Sequence, residues 1–430
     1  MKSILRSLFA MILAILARGI VRKYRPKIVM ITGSVGKTST KDAVAAVLSE
    51  VYSVRKSEKS YNSEFGLPFT ILNAESPWAN PVKWLKLFGE ALALRFLPNI
   101  YPNMLVLEVG ADRPGDLAKI MNIALPDAVV VTKLPEVPVH VEAYATPAAV
   151  REEEFYPAYA LDDGMPLILN AEDEYAVAMS ARLSARVVSF GTSDAATARI
   201  TNPKLMIEGG RVRGMQATLH MEGQQCVLEV PDVVGNPALF APAAAIATGI
   251  ALGLSMEDAC KGLVAYQPPP GRARVLEGMN GAVLIDDTYN SSPAATEEAL
   301  ASLNLIATEL KLRRIAVLGD MLELGRYSHE EHQRIGALVA AQADVLVAVG
   351  IRARGIAEAA LAAGMNEHAV RMFSTSEEAT LELRTIVGAG DVVLIKGSQS
   401  IRTERITEAL LANPEDATFL VRQDTEWKKR

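Results

Sequence analysis

Ile28-Val29-Met30-Ile31-Thr32-Gly33-Ser34-Val35-Gly36-Lys37-Thr38-Ser39-Thr40 runs from four apolar residues through two glycines into Gly-Lys-Thr. The apolar run reads as a buried strand, and Lys37 to about Leu48 reads as a helix that starts at the turn. A strand, a glycine loop and a helix N-terminus together form a phosphate cradle. The glycines let backbone N–H groups of Gly33, Ser34, Val35, Gly36, Lys37, Thr38 and Ser39 turn inward, the helix start adds a partial positive charge, and Lys37 adds a full one. Thr38 is placed to hold Mg²⁺. Only Ser34 and Val35 separate the glycines, so the loop is shorter than the common G-x-x-x-x-G-K-[ST] pattern.

Working outward, 430 residues suffice for two or three domains, and a hydrophobic content of 50% marks a globular chain. A net charge of −6, with no long basic stripe beyond the N-terminus, argues against a nucleic-acid partner. Cys226 and Cys260 are the only cysteines and lack metal or redox spacing, which argues against a disulfide framework and fits a reducing compartment. Leu8 to Ala17 is an apolar run between Lys2 and Arg6 on one side and Arg18, Arg22, Lys23 and Arg25 on the other. Ten residues are too few to span a hydrocarbon core, which takes about 20. The phosphate loop follows so closely that export would place a nucleotide site outside the cell, so the expected location is cytoplasmic. Residues 4–25 then form either a basic, apolar helix in peripheral contact with the inner membrane face or one packed on the protein itself.

Met104 to Gly110 reads as a second buried strand whose acid, Glu108, falls near its carboxyl end, where open parallel sheets bind ligands. Ala128 to Thr132, Leu167 to Asn170 and Val187 to Phe190 continue the strand series. His140 lies in the loop after the third strand. The run Arg151-Glu152-Glu153-Glu154 has the pattern of a solvated face. Ile200 to Val230 alternates around glycine turns as an antiparallel flap or small sheet, and Pro242 to Leu254 reads as an alanine-rich helix. Tyr266-Gln267-Pro268-Pro269-Pro270-Gly271-Arg272 is a stiff linker that sets a distance between two domains. Beyond it, strands at Val283 to Ile285, Ile315 to Leu318, Val345 to Val349 and Val392 to Ile395 alternate with helical stretches, the pattern of a second doubly wound α/β domain. Its strands end in polar clusters, Asp286-Asp287-Thr288-Tyr289-Asn290, Gly319-Asp320-Met321 and Lys396-Gly397-Ser398. No G-x-G-x-x-G follows any of them, so a dinucleotide cofactor is not indicated. His329 and His332 share a helix face at a spacing that reads as solvated rather than metal-binding.

These segments, together with Asn62-Ser63-Glu64-Phe65-Gly66-Leu67-Pro68, His140-Val141-Glu142 and Val317-Leu318-Gly319-Asp320-Met321-Leu322-Glu323-Leu324-Gly325, resemble the Mur ligase family. That family forms amide bonds at the expense of ATP in peptidoglycan synthesis. The last motif and Lys396-Gly397-Ser398 are similar to the branch that adds D-alanyl-D-alanine. The resemblance implies an α/β chain with a basic apolar segment over 1–27, a central P-loop ATPase domain on a parallel sheet over 28–270, and a C-terminal Rossmann-like domain over 271–430. It also implies that Lys37 and Thr38 hold the β/γ-phosphates and Mg²⁺, Glu108 the same Mg²⁺ and His140 a second. Arg272, with Asp286 or Asp287, would contact ATP across the domain gap that Tyr289 and Asn290 line.

The chain departs from the family in three places. Its substrate-nucleotide domain is replaced by the short apolar segment. Gly235-Asn236-Pro237 leaves only Asn236 where the family has a His-Asn pair and a further Asn to serve the nucleotide. The lysine that the family carbamylates to bridge the second metal falls on Glu154. A glutamate also ends in a carboxylate, so Glu154 is either a metal-site acid or part of the solvated face. The substrates implied are a muramoyl-peptide precursor and a dipeptide. A related ligase acting on a lipid-linked, folate or other amino-acid polymer substrate, and a scaffold that binds ATP without turnover, are the alternative readings.

Overall fold

A computed structural model describes residues 2–57, 65–77, 80–424 and 427. Asn62, Ser63 and Glu64 of the quoted segment lie outside the described residues. The rest of that segment opens a short helix.

The first sheet contains β1 (Lys27–Thr32), β2 (Val54–Lys56), β3 (Met104–Glu108), β4 (Ala128–Val131), β5 (Pro166–Asn170), β6 (Arg186–Gly191), β7 (Ala198–Glu208), β8 (Arg211–Met221) and β9 (Gln224–Pro231), in the spatial order 2-3-1-4-5-6-7-8-9. Helices α1 (Lys2–Tyr24), α2 (Lys37–Ser49), α3 (Gly66–Leu72), α4 (Pro81–Phe96), α5 (Asp116–Met121), α6 (Pro147–Tyr159), α7 (Glu174–Ser180), α8 (Asn236–Ala251) and α9 (Met256–Leu263) pack around it. The strands from β2 to β6 in this order are parallel, and β1, β3, β4 and β5 read as apolar runs because helices cover both faces; β3, β4 and β5 are buried at every position. The antiparallel stretch expected over Ile200 to Val230 is the β7-β8-β9 meander. It extends the large sheet rather than standing apart, since β7 pairs in parallel with β6. Its residues alternate between buried and exposed, as expected for a layer covered on one face.

Helix α8 covers that face. Residues 241–249 along it are buried, and a helix apolar on all sides has to lie inside the protein. It begins at Asn236, earlier than Pro242, because Pro237 fits the first turn, where a missing N–H costs nothing. The cysteine expectation is corrected here. Cys226 on β9 and Cys260 on α9, 6.5 Å apart at Cα, are joined as a disulfide. The meander delivers Cys226 to the helix beneath it, which spacing along the chain does not reveal.

The second sheet contains β10 (Arg274–Glu277), β11 (Val283–Asp287), β12 (Arg313–Gly319), β13 (Val345–Val349), β14 (Val370–Phe373) and β15 (Asp391–Lys396), in the order 10-11-15-12-13-14. All pairs are parallel except β10 with β11. Helices α10 (Pro293–Leu310) and α11 (Ser328–Gln342) flank it. The proline segment is more than a spacer. Tyr266 and Pro268 are buried, and the Arg274 guanidinium donates to the Pro268 carbonyl.

Candidate active site at the phosphate loop

Strand β1 lies between β3 and β4, with Ile31 opposite Glu108 and Thr32 opposite Val131, so the carboxyl ends of three strands converge on the loop. Gly33 (φ +115°) and Gly36 (φ +90°) adopt backbone conformations that L side chains disfavour. A Cβ at Gly33 would run into the Thr132 hydroxyl. The loop is tied down from outside, because Ser34 N donates to Lys133 O at 2.8 Å. Lys37, the first residue of α2, turns its ammonium back to the Gly33 carbonyl, which holds its charge at the loop.

Beside it, the Thr38 hydroxyl donates to Glu108 Oε1 at 3.3 Å. Glu108 is buried, and its Oε2 has no hydrogen-bond partner. A buried carboxylate oxygen without a donor is costly unless something positive meets it. An acid and a hydroxyl placed this way are hard oxygen donors suited to Mg²⁺.

The acidic run on α6 is not a solvated face. Glu154 is 1% exposed and its Oε2 accepts from the Ser34 hydroxyl at 2.8 Å, while its backbone carbonyl accepts from Thr32 Oγ1 at 2.5 Å. Burial pushes the Glu154 carboxyl up, against the opposing pull of Lys37, the Ser34 hydroxyl and His140. Glu153 accepts from Gly115 N and Leu117 N at the start of α5. Only Glu152, hydrogen-bonded to Tyr159, matches the expectation of exposure.

His140, in a left-handed conformation (φ +64°), stands between two carboxylates, with Nε2 3.5 Å from Asp112 and Nδ1 3.3 Å from Glu323. Glu323 comes from the second-sheet half, so this contact crosses the cleft. Lys133 to Glu298 at 3.2 Å on α10, and Arg326 to the Ala145 carbonyl, cross it as well.

Two cavities, of about 240 and about 100 Å³, open onto the loop. The larger is polar. There Lys37, Thr38, Glu108 and His140 face Arg272, Tyr289 and Asn290, with the Arg272 guanidinium 4.0 Å above the Tyr289 ring. The smaller shares Val35 and Gly36 with it and is walled by Phe190 and Phe240, whose rings meet edge to face 6.2 Å apart, together with Val233, Val234 and Tyr266. An apolar slot beside a phosphate cradle is the shape that a nucleotide's base and phosphates require.

The structure separates the two neighbouring aspartates. Asp287 lines the apolar cavity and pairs with Lys396, whereas Asp286 points into the core, fully buried, and accepts from Thr288 and Thr407. Adjacent strand residues face opposite sides, so one of the pair had to leave the cleft. Burial raises the Asp286 carboxyl from 3.8 to about 7, outweighing the two hydroxyl donors, with Asp287 and Glu404 adding to the rise. The stability linked to the neutral form is complete below the unfolded-state value near 3.8 and is lost as pH rises through about 7. Asp286→Asn is expected to flatten that fall, visible as a denaturant midpoint that gains more over the parent at pH 8 than at pH 5.

Asn236 is exposed at the first position of α8 and lines neither cavity. His332 is structural, because its Nε2 accepts from Met321 N and Nδ1 lies 2.6 Å from Ser328 O. Among the described residues, no group of three or more His, Cys, Asp or Glu is arranged to hold a metal. Sequence reasoning misses Asp112 and Lys133, and it gives Glu323 and Lys396, though inside the quoted motifs, no individual role. Each follows or ends a buried strand, the signal that singled out Glu108.

The chain matches the Mur ligase middle domain over residues 31–82 and the Mur ligase glutamate ligase domain over residues 271–399. It is 32% identical over 415 residues to the UDP-N-acetylmuramoyl-tripeptide–D-alanyl-D-alanine ligase of Mycobacterium leprae, covering 90% of this chain and 74% of that one. The chain belongs to the Mur ligase family. The Synechocystis enzyme of the same name is 29% identical to this Mur ligase over 408 residues, covering 93% of this chain and 78% of that one. MurF from Acinetobacter baumannii superposes with a TM-score of 0.76 at 23% identity, covering 94% of this chain and 81% of that one, and shares the fold. Membership makes the protein an ATP-dependent ligase.

Proposed function

We propose that this Mur ligase joins D-alanyl-D-alanine to the terminal carboxylate of a UDP-N-acetylmuramoyl-tripeptide, with ATP converted to ADP and phosphate. The supporting observation is the cluster at the loop, where Lys37, Thr38 and the unpartnered Glu108 Oε2 face Arg272 and Asn290 across a cleft closed by contacts from both halves. The activity for which those relatives are named supplies the substrates.

A carboxylate is a poor electrophile for an amine. Its oxygen attacks the γ-phosphorus, ADP leaves, and the amine then displaces phosphate from the acyl carbon. The first step brings two anions together. Lys37, the amides of Gly33 to Ser39 and the N-terminus of α2 offset that repulsion, and Arg272 approaches from the opposite wall. Thr38 and Glu108 fit Mg²⁺, which when bound supplies further positive charge to the phosphates. The apolar slot, on whose far side Asp287 lies, takes the base, Tyr289 stands with Arg272 on the wall of the polar cavity, and closure of the halves keeps water from the acyl phosphate. His140, held by Asp112 and Glu323, and Glu154, held by Ser34, complete the acidic wall where a second Mg²⁺ would bind.

The chain divides in this reading at residues 27 and 270. Its place is the cytoplasm, with residues 4–25 at the inner membrane face. The test is phosphate release with UDP-N-acetylmuramoyl-tripeptide and D-alanyl-D-alanine, which has to depend on both. Release that ignores either substrate overturns the proposal.

Glu154 yields a sharper prediction. Glu154→Ala is expected to lower the rate and raise the Mg²⁺ requirement, since it frees Ser34 and removes a carboxylate from beside Lys37. Glu154→Lys places a buried cation near Lys37 and is expected to work only with added bicarbonate, which converts the amine to a carbamate. Parent-like turnover by Glu154→Ala at limiting Mg²⁺ would remove Glu154 from the site.

A further inference from the structure

Helix α1 and helix α4 lie side by side and run the same way. Phe9 packs on Trp84 and Phe88, Gly19 meets the Arg95 side chain, and Lys23 donates to the Leu94 and Leu97 carbonyls. Their inner faces are satisfied, since Leu13, Phe69 and Leu87 form a small core of their own. Their outer faces are not. On α1, Leu8, Met11 and Ile15 recur at the spacing of a single helix face and stay exposed, Ile15 at 63%. The same stripe continues into exposed Arg18 and Arg22. On α4, Val82, Leu85, Leu92 and Phe96 form a second exposed stripe, with Leu85 at 75% and Phe96 at 69%. Exposed Leu97 and Ile100 follow it.

No helix among the described residues is long and apolar enough to cross a membrane. The charge on this surface has one sign. Residues 8–25 contain no acid, and α4 contains only Glu90, which pairs with Lys86. In a chain of net charge −6, the first 27 residues carry seven basic side chains and no acidic one.

We infer that the joined outer faces of α1 and α4 form a docking surface for an anionic phospholipid bilayer, on which the two helices lie flat with their apolar stripes among the acyl chains. This rests on the membrane-face placement above and extends it to α4, which gives the surface its width. Apolar stripes ending in arginines suit a headgroup layer, where the side chains' stems sit in the boundary and their charges meet phosphate. The acidic remainder of the chain is repelled by the same surface, which favours contact through α1 and α4 over other faces. A second copy of the chain suits the surface less well, because a two-fold contact brings basic surface against basic surface.

The test is flotation of the full chain with vesicles of phosphatidylcholine alone or with phosphatidylglycerol, at low and high salt. The expected result is flotation with the anionic vesicles that falls by about tenfold at high salt and is weak with neutral ones. Arg18→Glu with Arg22→Glu is expected to cost about tenfold or more at low salt. Met11→Ser, Ile15→Ser and Leu85→Ser together are expected to abolish flotation. All five positions are exposed and line neither cavity at the phosphate loop, so each variant is expected to keep the parent's phosphate release. The inference is overturned if the parent does not float with anionic vesicles, floats equally with neutral ones, or floats undiminished after the serine changes. It is equally overturned if the parent sediments as a dimer that those changes dissolve. A chain that releases phosphate but never floats refutes only the lipid surface, and one that floats without substrate-coupled release refutes only the ligase assignment.

Discussion

Lys37→Ala is expected to lower substrate-coupled phosphate release by on the order of 10²-fold or more, the usual consequence of removing a charge aimed at the transferring group. The ammonium is anchored to the Gly33 carbonyl at the first turn of α2, so its position is set before any substrate arrives. Its loss also withdraws the foremost electrostatic support of the buried Glu154 carboxylate, whose tendency to take up a proton then grows. Lys37→Arg retains the charge on a planar, longer head and is expected to recover only part of the rate. Release is measured with both substrates present, alongside a thermal melt to show that the variant is folded. A folded Lys37→Ala protein with near-parent release would remove the loop from the chemistry.

Lys396→Met is expected to have the largest effect on stability. Lys396 on β15 sits opposite Asp287 on β11 in the parallel ladder, 1% exposed, with its ammonium 2.7 Å from Asp287 Oδ2 and 2.9 Å from the Asn290 carbonyl. Burial pulls the lysine's affinity for its proton down, and Asp287 pulls it back up. Removing one member of such a pair leaves the other charged and without its partner, at a cost of roughly 3–5 kcal/mol. The denaturant midpoint should fall accordingly. Adding Asp287→Asn should restore much of the loss, because the damage comes from the abandoned carboxylate rather than from a missing attraction. A double variant no more stable than the single one would contradict this account. The pair also holds the backbone at Asn290, so the single variant is expected to weaken ATP binding as well.

The parallel strands could be read in the sequence because burial on both faces leaves continuous apolar runs, and their carboxyl ends then pointed to Glu108 and to the clusters after β11 and β15. What the sequence concealed depends on partners far along the chain. Glu153 and Glu154 look like surface charge until helix α6 brings them to the amides of Gly115 and Leu117 and to the hydroxyl of Ser34. Asp286 and Asp287 are chemically alike, and only the pleat decides which one faces the cleft. Strands β2, β10 and β14 are short and lie at or beside sheet edges, where the apolar signal is weak. The bond between Cys226 and Cys260 follows from how the meander lies on α9, which neither cysteine's neighbours specify.

The polar contacts at the cleft rim are of the kind that water competes with. Lys133 with Glu298 and His140 with Glu323 are each partly exposed, and pairs of this type contribute roughly 0–1 kcal/mol. These contacts therefore contribute little to what holds the two halves together. Beneath the rim a continuous buried apolar cluster joins the two halves, so a ligand that touches both walls, as Arg272 and the phosphate loop invite it to do, adds its own contacts where the protein's are weakest. Charge on the substrates thus acts as the latch at this rim.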